Sequence, residues 1–192
     1  MPRNKEFDYF EKLEIVRNLF WEKGYHATSM NDIVDALELN RSSIYNTYGN
    51  KHTLFLKCLE NYAKMKTAQY KKATSYDGSS FEILGHTVHD VMHQTIQDKK
   101  ACLIIRTIFE LGDSDPLVNH LITTNAKVLE EIFRTLIEKS IVENDIKHNI
   151  LPEVAARCIL SSFSGFYRHY IVSGKKAEVE QMIDFMLSSM RA

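Results

Sequence analysis

Hydrogen-bonding side chains are concentrated in one short segment of the chain, between Arg41 and Tyr48. Ile44 and Tyr48 lie four residues apart, a spacing that places both on one face of a helix and leaves the other faces polar. Arginine bonds the edge of guanine through two hydrogen bonds, asparagine bonds adenine in the same way, and hydroxyl groups bond bases or phosphates. The segment therefore predicts a helix that presents bonding groups to the major groove of DNA. These groups are Arg41, Ser42, Ser43, Tyr45, Asn46 and Thr47.

Three histidines are spaced so that a helix would bring them together. His86, His89 and His93 share one helical face with Asp90, at intervals of three and four residues, which is compatible with metal ligation. One helix seldom supplies a complete metal shell, so a solvated or hydrogen-bonded face is the favoured interpretation. We therefore expect no metal site and no cofactor.

Cys102 begins an apolar run that continues to Ile105, and its reactivity has two interpretations. A thiol reacts only where its pKa is lowered and solvent reaches it, so a buried and inert side chain is the favoured interpretation. Together with Cys58 and Cys158, it forms neither a disulfide framework nor a zinc motif.

The spacing of apolar residues predicts an all-α protein of about nine helices. The last helix illustrates the pattern, because apolar residues recur from Val179 to Met190 at intervals of three and four. Pro116 and Pro152 stand where helices would begin, and no alternation typical of β-strands occurs. The predicted helices lie near residues 8–23, 30–37, 41–48, 51–75, 80–98, 101–111, 116–143, 152–172 and 176–190.

The first three predicted helices form a helix-turn-helix unit. Thr28 and Ser29 supply an N-cap for the second helix, with Asp32 as the partner in a capping box, and Asn40 can cap the third. Two short helices joined by a turn of a few residues are what insertion into the major groove requires. We therefore expect an N-terminal DNA-binding domain ahead of a helical body.

Two segments, in this order, resemble the TetR family of bacterial regulators. Residues 19–34 have the sequence Leu-Phe-Trp-Glu-Lys-Gly-Tyr-His-Ala-Thr-Ser-Met-Asn-Asp-Ile-Val, and residues 39–51 have the sequence Leu-Asn-Arg-Ser-Ser-Ile-Tyr-Asn-Thr-Tyr-Gly-Asn-Lys. One departure is Glu38, where many members have glycine in the turn, because a left-handed conformation is strained for other residues. The resemblance implies a DNA-binding domain at residues 1–51 and a helical effector-binding and dimerisation domain at residues 52–192.

The resemblance also implies a role for each polar residue of the helix-turn-helix. Contacts at or near base edges are expected from Arg41, Ser42, Ser43 and Asn46. Contacts mainly with backbone phosphates are expected from Thr28, Tyr45, Thr47 and Lys51. Tyr48 stands where the family usually has a core phenylalanine.

In the helical body, apolar and aromatic side chains could line a small-molecule pocket, although a core position is the commoner role for each. The candidates are Tyr62, Phe81, His89, Met92, Cys102, Phe109, Phe133, Phe163, Phe166 and Tyr167. Gly165 lies inside a predicted helix, which indicates close helix packing or room for a ligand, and close packing is favoured. The resemblance implies that the last two helices form a four-helix interface in a homodimer.

The chain has 192 residues and a net charge of −1, so only the distribution of charge can point to a polyanionic partner. Seven basic residues and one acidic residue occur between Arg41 and Lys72. Four lysines of this stretch are expected on the solvated side of a long helix: Lys64, Lys66, Lys71 and Lys72. The sequence has no apolar run that could span a bilayer and no secretion signal, so we expect a cytoplasmic protein without a membrane partner.

These observations favour a sequence-specific transcriptional regulator. We expect a homodimeric repressor that a small-molecule ligand releases from a near-palindromic double-stranded operator. The alternative is an architectural or partner-regulated DNA-binding protein without a small-molecule inducer. An enzyme is not expected, because the sequence has no phosphate-binding glycine loop, nucleophile elbow or paired metal motif.

Overall fold

The computed structural model describes residues 8–98, 100 and 102–192. Within these ranges the regular structure is helical, and the only β-type pairing is an isolated bridge between Ile146 and Arg191. The all-α prediction of about nine helices is therefore confirmed. The helices are α1 (Tyr9–Lys23), α2 (Met30–Leu37), α3 (Arg41–Tyr48), α4 (Lys51–Ala73), α5 (Ser80–Gln97), α6 (Leu103–Leu111), α7 (Pro116–Val142), α8 (Pro152–Ser173) and α9 (Lys176–Met190).

Side-chain caps explain where several helices begin. The Ser29 hydroxyl accepts from the Asp32 amide, and the Asp32 carboxylate accepts from the Ser29 amide, which completes the predicted capping box of α2. Asn40 caps α3 as predicted, and Asp115 caps α7 ahead of Pro116 by accepting from the amides of the next turn. Local sequence therefore determines these helix starts.

The chain forms two compact units. Unit 1 contains the described residues up to Lys64 together with Cys102–Ile122, and unit 2 contains the rest. Both α4 and α7 contribute residues to each unit. The predicted boundary at residue 51 separates a DNA-binding domain from an effector-binding and dimerisation domain by function, and it stays a prediction.

Unit 1 has an apolar core made by α1 to α4, α6 and the first turns of α7. Its rings meet edge to face between Phe20 and Phe55, with centroids 4.9 Å apart, and they stack between Tyr9 and Tyr48. Burial of each large apolar side chain stabilises the fold by about 1.5–3 kcal/mol. The fully buried residues include Phe20, Ile33, Leu37, Ile44, Tyr48, Leu54 and Phe55.

Unit 2 packs α5, α7, α8 and α9 around a second core. Its buried side chains include Leu84, Val88, Met92, Phe133, Ile137, Ile159, Val179 and Ile183. The last stretch of α4 belongs to this unit, and there one expectation is wrong. Lys66 is only 7% exposed, whereas Lys64, Lys71 and Lys72 lie in solvent as expected. Lys66 is on the buried face because it lies four residues before the buried Tyr70.

None of the helices in the described part of the chain has both the length and the apolar composition needed to cross a membrane.

Candidate nucleic-acid interface

Two buried side chains anchor α3 to unit 1. Ile44 and Tyr48 are fully buried, and the Tyr48 hydroxyl donates to the carbonyl oxygen of Tyr9 at 3.1 Å. Burial raises the pKa of Tyr48 to about 12, so the hydroxyl keeps its proton and its role as donor. The helix ends at Gly49, whose φ of 85° is easily adopted by glycine. These contacts determine which side of α3 points outward.

The outward side of α3 carries the predicted bonding groups. Arg41, Ser42, Tyr45 and Asn46 are exposed, and we call these four residues the α3 face. Ser43 and Thr47 are half-buried at its edges. The structure therefore brings together six of the eight predicted DNA-binding residues on one helix; their contacts with DNA stay predictions.

Arg41 is held by a residue that sequence reasoning missed. Its Nη2 donates to Asn31 Oδ1 of α2 at 2.7 Å. A guanidinium has five N–H donors, so this bond leaves donors for a base or phosphate while restricting the direction of the side chain. Asn31 thereby positions Arg41.

Lys51 is the first residue of α4, two residues after Gly49, which caps the end of α3. Its Nζ lies 4.4 Å from the centroid of the Tyr25 ring, which is a cation–π contact. Burial lowers the pKa of Lys51, and the carboxylates of Glu110 and Asp32 oppose this shift. Asn50 caps α4 by accepting from the Thr53 amide at 2.9 Å. A positive side chain next to a helix N-terminus suits a phosphate.

Thr28 is placed differently from the other predicted DNA-binding residues. It is fully buried, and its hydroxyl donates to the carbonyl oxygen of Gly24 at 2.6 Å. The hydroxyl therefore stabilises the turn between α1 and α2 and is not part of the α3 face. Its contact with a phosphate stays a prediction.

The turn between α2 and α3 contains a left-handed residue. Glu38 has φ 54° and ψ 36°, and its side chain is exposed. A residue with a Cβ atom is strained in this conformation by about 1–2 kcal/mol. The turn therefore has the left-handed backbone conformation that the family pattern implies, with glutamate in place of glycine.

Replacing Glu38 by glycine is expected to raise the free energy of unfolding by about 0.5–1 kcal/mol. Relief of strain contributes about 1–2 kcal/mol, and the greater freedom of glycine in the unfolded chain removes about 0.4–1 kcal/mol. Urea unfolding measures the difference, with Glu38→Ala as the matched control, because alanine also removes the carboxylate but keeps the Cβ atom. An equal gain in both variants would assign the effect to charge instead.

A side chain from α6 completes the C-terminal end of α1. Arg106 donates from Nη2 to the carbonyl oxygen of Lys23 at 2.6 Å and from Nη1 to that of Glu22 at 2.9 Å. Its Nε donates to Glu110 Oε1, one turn along α6, at 3.0 Å. The last carbonyl groups of a helix have no partner inside the helix, so Arg106 supplies donors that α1 lacks.

Glu110 bonds the turn that follows α1. Its Oε2 accepts from the amide of Tyr25 at 2.7 Å and from that of His26 at 3.2 Å. Burial alone would raise the pKa of Glu110, but the hydrogen bonds from Arg106 and these amides outweigh it, so the pKa lies below its usual value. A Cβ atom at Gly24 would lie 2.2 Å from Glu110 Oε1, so any other residue there would have to displace this carboxylate. We call the pair Arg106 and Glu110 the α6 clamp.

The candidate ligand-binding residues are distributed over both units. Unit 1 contains Tyr62, which is buried, Cys102, which is half-buried, and Phe109, which is 86% exposed. The remaining seven belong to unit 2, where Phe133 and Phe163 approach with ring centroids 6.3 Å apart. These seven are Phe81, His89, Met92, Phe133, Phe163, Phe166 and Tyr167. Their role in ligand binding stays a prediction.

The three histidines of α5 have separate partners. His86 contacts the carbonyl oxygen of Ala73 and stacks on Tyr76, whereas His89 and His93 pair with two carboxylates of α9. Over residues 8–98, 100 and 102–192, no group of three or more histidine, cysteine, aspartate or glutamate side chains is placed to hold a metal ion.

The cysteines differ in accessibility. Cys58 is fully buried, and burial raises the pKa of its thiol, which makes it inert. Cys102 is half-buried and Cys158 is exposed.

Comparison with known proteins agrees with this arrangement. Residues 14–58 match the family model for bacterial regulatory proteins of the tetR family. The chain is 32% identical over 139 residues to the uncharacterized HTH-type transcriptional regulator YezE of Bacillus subtilis, covering 69% of this chain and 70% of YezE. It is 32% identical over 80 residues to the HTH-type transcriptional repressor ComR of Escherichia coli, covering 42% of this chain and 38% of ComR.

A solved structure extends the similarity to nearly the whole chain. The TetR family transcriptional regulator CifR, a cysteine mutant complexed with 26-base-pair double-strand operator DNA, superimposes with a TM-score of 0.80. The sequences are 18% identical, and the match covers 97% of this chain and 98% of CifR. At this identity the comparison concerns the fold.

Proposed function

Because the chain belongs to the TetR family of DNA-binding transcriptional regulators, we propose that it is a homodimeric repressor of a near-palindromic operator. We further propose that a small-molecule ligand releases it from this DNA. The regulator acts where the chromosome is, so we propose a cytoplasmic location. No catalytic activity is proposed, since the relatives are regulators.

The α3 face is the observation that carries the proposal. Its four side chains are exposed on a helix whose opposite side is fully buried, and among the described residues of unit 1 the one side-chain contact that uses their bonding capacity is that of Arg41 with Asn31. The major groove is about 12 Å wide and admits one helix. One such helix makes few base contacts, and a two-fold dimer doubles them at a spacing of about 34–36 Å. Repression is supported by the similarity to ComR, which is a transcriptional repressor.

The dimer is proposed to form through the outer faces of α8 and α9. Val172 is 81% exposed and Phe185 is 76% exposed, and a Cβ atom added at Gly165 would meet nothing within 4 Å. Within one protomer the expected close packing at Gly165 is therefore absent from the described residues. An exposed apolar face with an open glycine position suits a second copy of the same two helices.

Replacing Phe185 by glutamate is expected to weaken dimerisation by about 1,000-fold, because each copy loses a buried aromatic anchor worth about 2 kcal/mol and the interface contains two copies. Sedimentation velocity over a concentration series measures the effect. Val142→Glu is the matched control, since Val142 is 80% exposed at the end of α7. A Phe185→Glu variant that stays dimeric at the same concentrations as the control would contradict this interface.

Ligand release requires only that the ligand prefers a conformation with low DNA affinity. A preference of about 1–3 kcal/mol would weaken DNA binding about 5- to 150-fold. We propose α4 as the element that transmits the change, because its first part packs in the core of unit 1 through Leu54, Phe55 and Leu59 and its last part belongs to unit 2.

Selection of bound sequences from a random duplex DNA pool tests the proposal. The expected result is a palindromic motif with two half-sites separated by about one helical turn. Salt-sensitive binding without any sequence preference would favour the alternative, an architectural or partner-regulated DNA-binding protein without an inducer.

A further inference from the structure

Asn31 belongs to α2, yet its side chain contacts the beginning of α3. It is the second residue of α2, Arg41 is the first residue of α3, and both side chains are exposed. The bond from Arg41 Nη2 to Asn31 Oδ1 is 2.7 Å long, which is typical of a strong bond from a charged donor. In a helix-turn-helix, the first residues of the second helix reach base edges in the major groove. The bond therefore joins the two helices at the point where base reading is expected.

Buried side chains hold both helices that carry this bond. Asn40 also fixes the start of α3, because its side-chain oxygen accepts from the Ser43 amide at 2.8 Å. The Asn31 carboxamide is therefore presented to Arg41 from a fixed backbone, and it limits the orientations of the guanidinium plane. The fully buried residues that anchor the two helices are Ile33 and Leu37 in α2 and Ile44 and Tyr48 in α3.

The partner that holds Arg41 is neutral, and Arg41 forms no ion pair with any residue that the structure describes. The nearest carboxylate along α2 is that of Asp32, which accepts from the amide and hydroxyl of Ser29 and from Lys23. A carboxylate on Arg41 would compete with DNA and would place a negative charge near the phosphates. The amide oxygen of Asn31 instead directs the guanidinium and leaves its charge and its other N–H donors for the DNA.

We propose that Asn31 determines base specificity by holding Arg41 in the orientation that reads guanine. Each half-site of the operator then contains a guanine whose N7 and O6 accept two hydrogen bonds from Arg41, a pattern that only guanine offers in the major groove. This inference rests on the proposed function, because it assigns one base of the operator. An arginine side chain loses rotamer entropy when it forms such a pair, and the bond to Asn31 removes part of that loss before DNA binds. Without Asn31, the side chain is free to turn to phosphates, which carry no sequence information.

Operator variants at the base pair that Arg41 contacts test the proposal by fluorescence anisotropy. This base pair is identified first, as the position where sequence selection with Arg41→Ala loses the preference of the parent protein. Replacing G·C by A·T there in both half-sites is expected to lower the affinity of the parent about 25-fold or more, since each pair discriminates about 5- to 150-fold. We call this ratio of affinities the guanine preference.

Asn31→Ala is expected to reduce the guanine preference about fivefold or more, because the freed arginine divides its time between bases and phosphates. Its affinity for a scrambled duplex should stay within about twofold of the parent, since contacts with phosphates remain. The matched control is Asn18→Ala. Asn18 is an exposed asparagine of α1 that accepts from a different arginine, Arg17, so this variant should keep the guanine preference.

A conservative variant and a double variant separate positioning from a structural role. Asn31→Asp keeps the acceptor oxygen, so it is expected to retain the guanine preference, while its negative charge weakens binding to every duplex. In an Arg41→Ala background, Asn31→Ala is expected to change the guanine preference by less than about twofold, because Asn31 acts only through Arg41.

Three results would overturn the inference: an unchanged guanine preference in Asn31→Ala, loss of this preference in Asn31→Asp, or a base pair other than G·C at the position relaxed by Arg41→Ala. Each of them leaves the repressor proposal intact as long as selection with the parent protein yields a palindromic operator. Selection that yields no preferred sequence overturns the repressor proposal, and this inference with it.

Discussion

Replacing Asn46 by alanine is expected to lower the affinity for the selected operator at least 30-fold. The exposed carboxamide lies on the α3 face, where it can bond an adenine edge through two hydrogen bonds. Such a pair discriminates by about 1–3 kcal/mol, and a two-fold dimer contains it twice, so the total is about 2–6 kcal/mol. Because the side chain is exposed, we expect the variant to fold as stably as the parent.

Fluorescence anisotropy on two duplexes measures this effect. One duplex carries the selected operator and the other has the same composition in scrambled order, which reports binding to phosphates alone. Asn46→Ala should lose affinity for the operator and keep affinity for the scrambled duplex, whereas Lys51→Ala should weaken both. Equal losses on the two duplexes in Asn46→Ala would mean that Asn46 does not contact bases.

Replacing Arg106 by methionine is expected to lower the free energy of unfolding by about 2–4 kcal/mol. The α6 clamp supplies hydrogen bonds from a charged group to the last carbonyl groups of α1. Each such bond contributes about 1.5–3 kcal/mol, and water that bonds the same carbonyl groups in the variant recovers part of this loss. Methionine also leaves Glu110 without its arginine partner. Lysine should not restore the stability, because it lacks the planar fork that reaches two carbonyl groups at once.

A second arginine provides the control for this prediction. Arg134 has a side chain 30% exposed, close to the 36% of Arg106, but within the described part of the chain its ion pairs join only Glu131 and Glu138 of its own helix. Pairs of that kind contribute about 0–1 kcal/mol, so Arg134→Met should cost little. Hydrogen exchange at the amides of Tyr25 and His26 should accelerate in Arg106→Met alone. Equal losses of stability in Arg106→Met and Arg134→Met would show that the α6 clamp contributes no more than an ordinary ion pair within one helix.

The local features of the helix-turn-helix could be predicted because they depend on residues close together in the sequence. The spacing of Ile44 and Tyr48 indicated which side of α3 is buried, and the cap residues Ser29 and Asn40 indicated where α2 and α3 begin. The departure at Glu38 was also visible, since the family pattern calls for glycine where the backbone is left-handed.

Long-range features could not be predicted in the same way. Arg106 and Glu110 resemble an ordinary surface pair at i and i+4, and nothing in the sequence indicates that they bond the end of α1. Lys66 is expected on the solvated side of α4 together with three other lysines, yet its spacing of four residues from both Tyr62 and Tyr70 is a usable signal, because all three share one buried face of the helix. Periodicity was a better guide there than residue type.

The α6 clamp also has a consequence for the order of events during protein synthesis. Arg106 is added to the growing chain 83 residues after Lys23, whose carbonyl group it bonds. At a translation rate of about 5–20 residues per second, α1 to α3 would wait about 4–17 s for this partner. The nascent helix-turn-helix therefore spends that interval with the end of α1 uncapped, and it reaches its full stability only after α6 has left the ribosome.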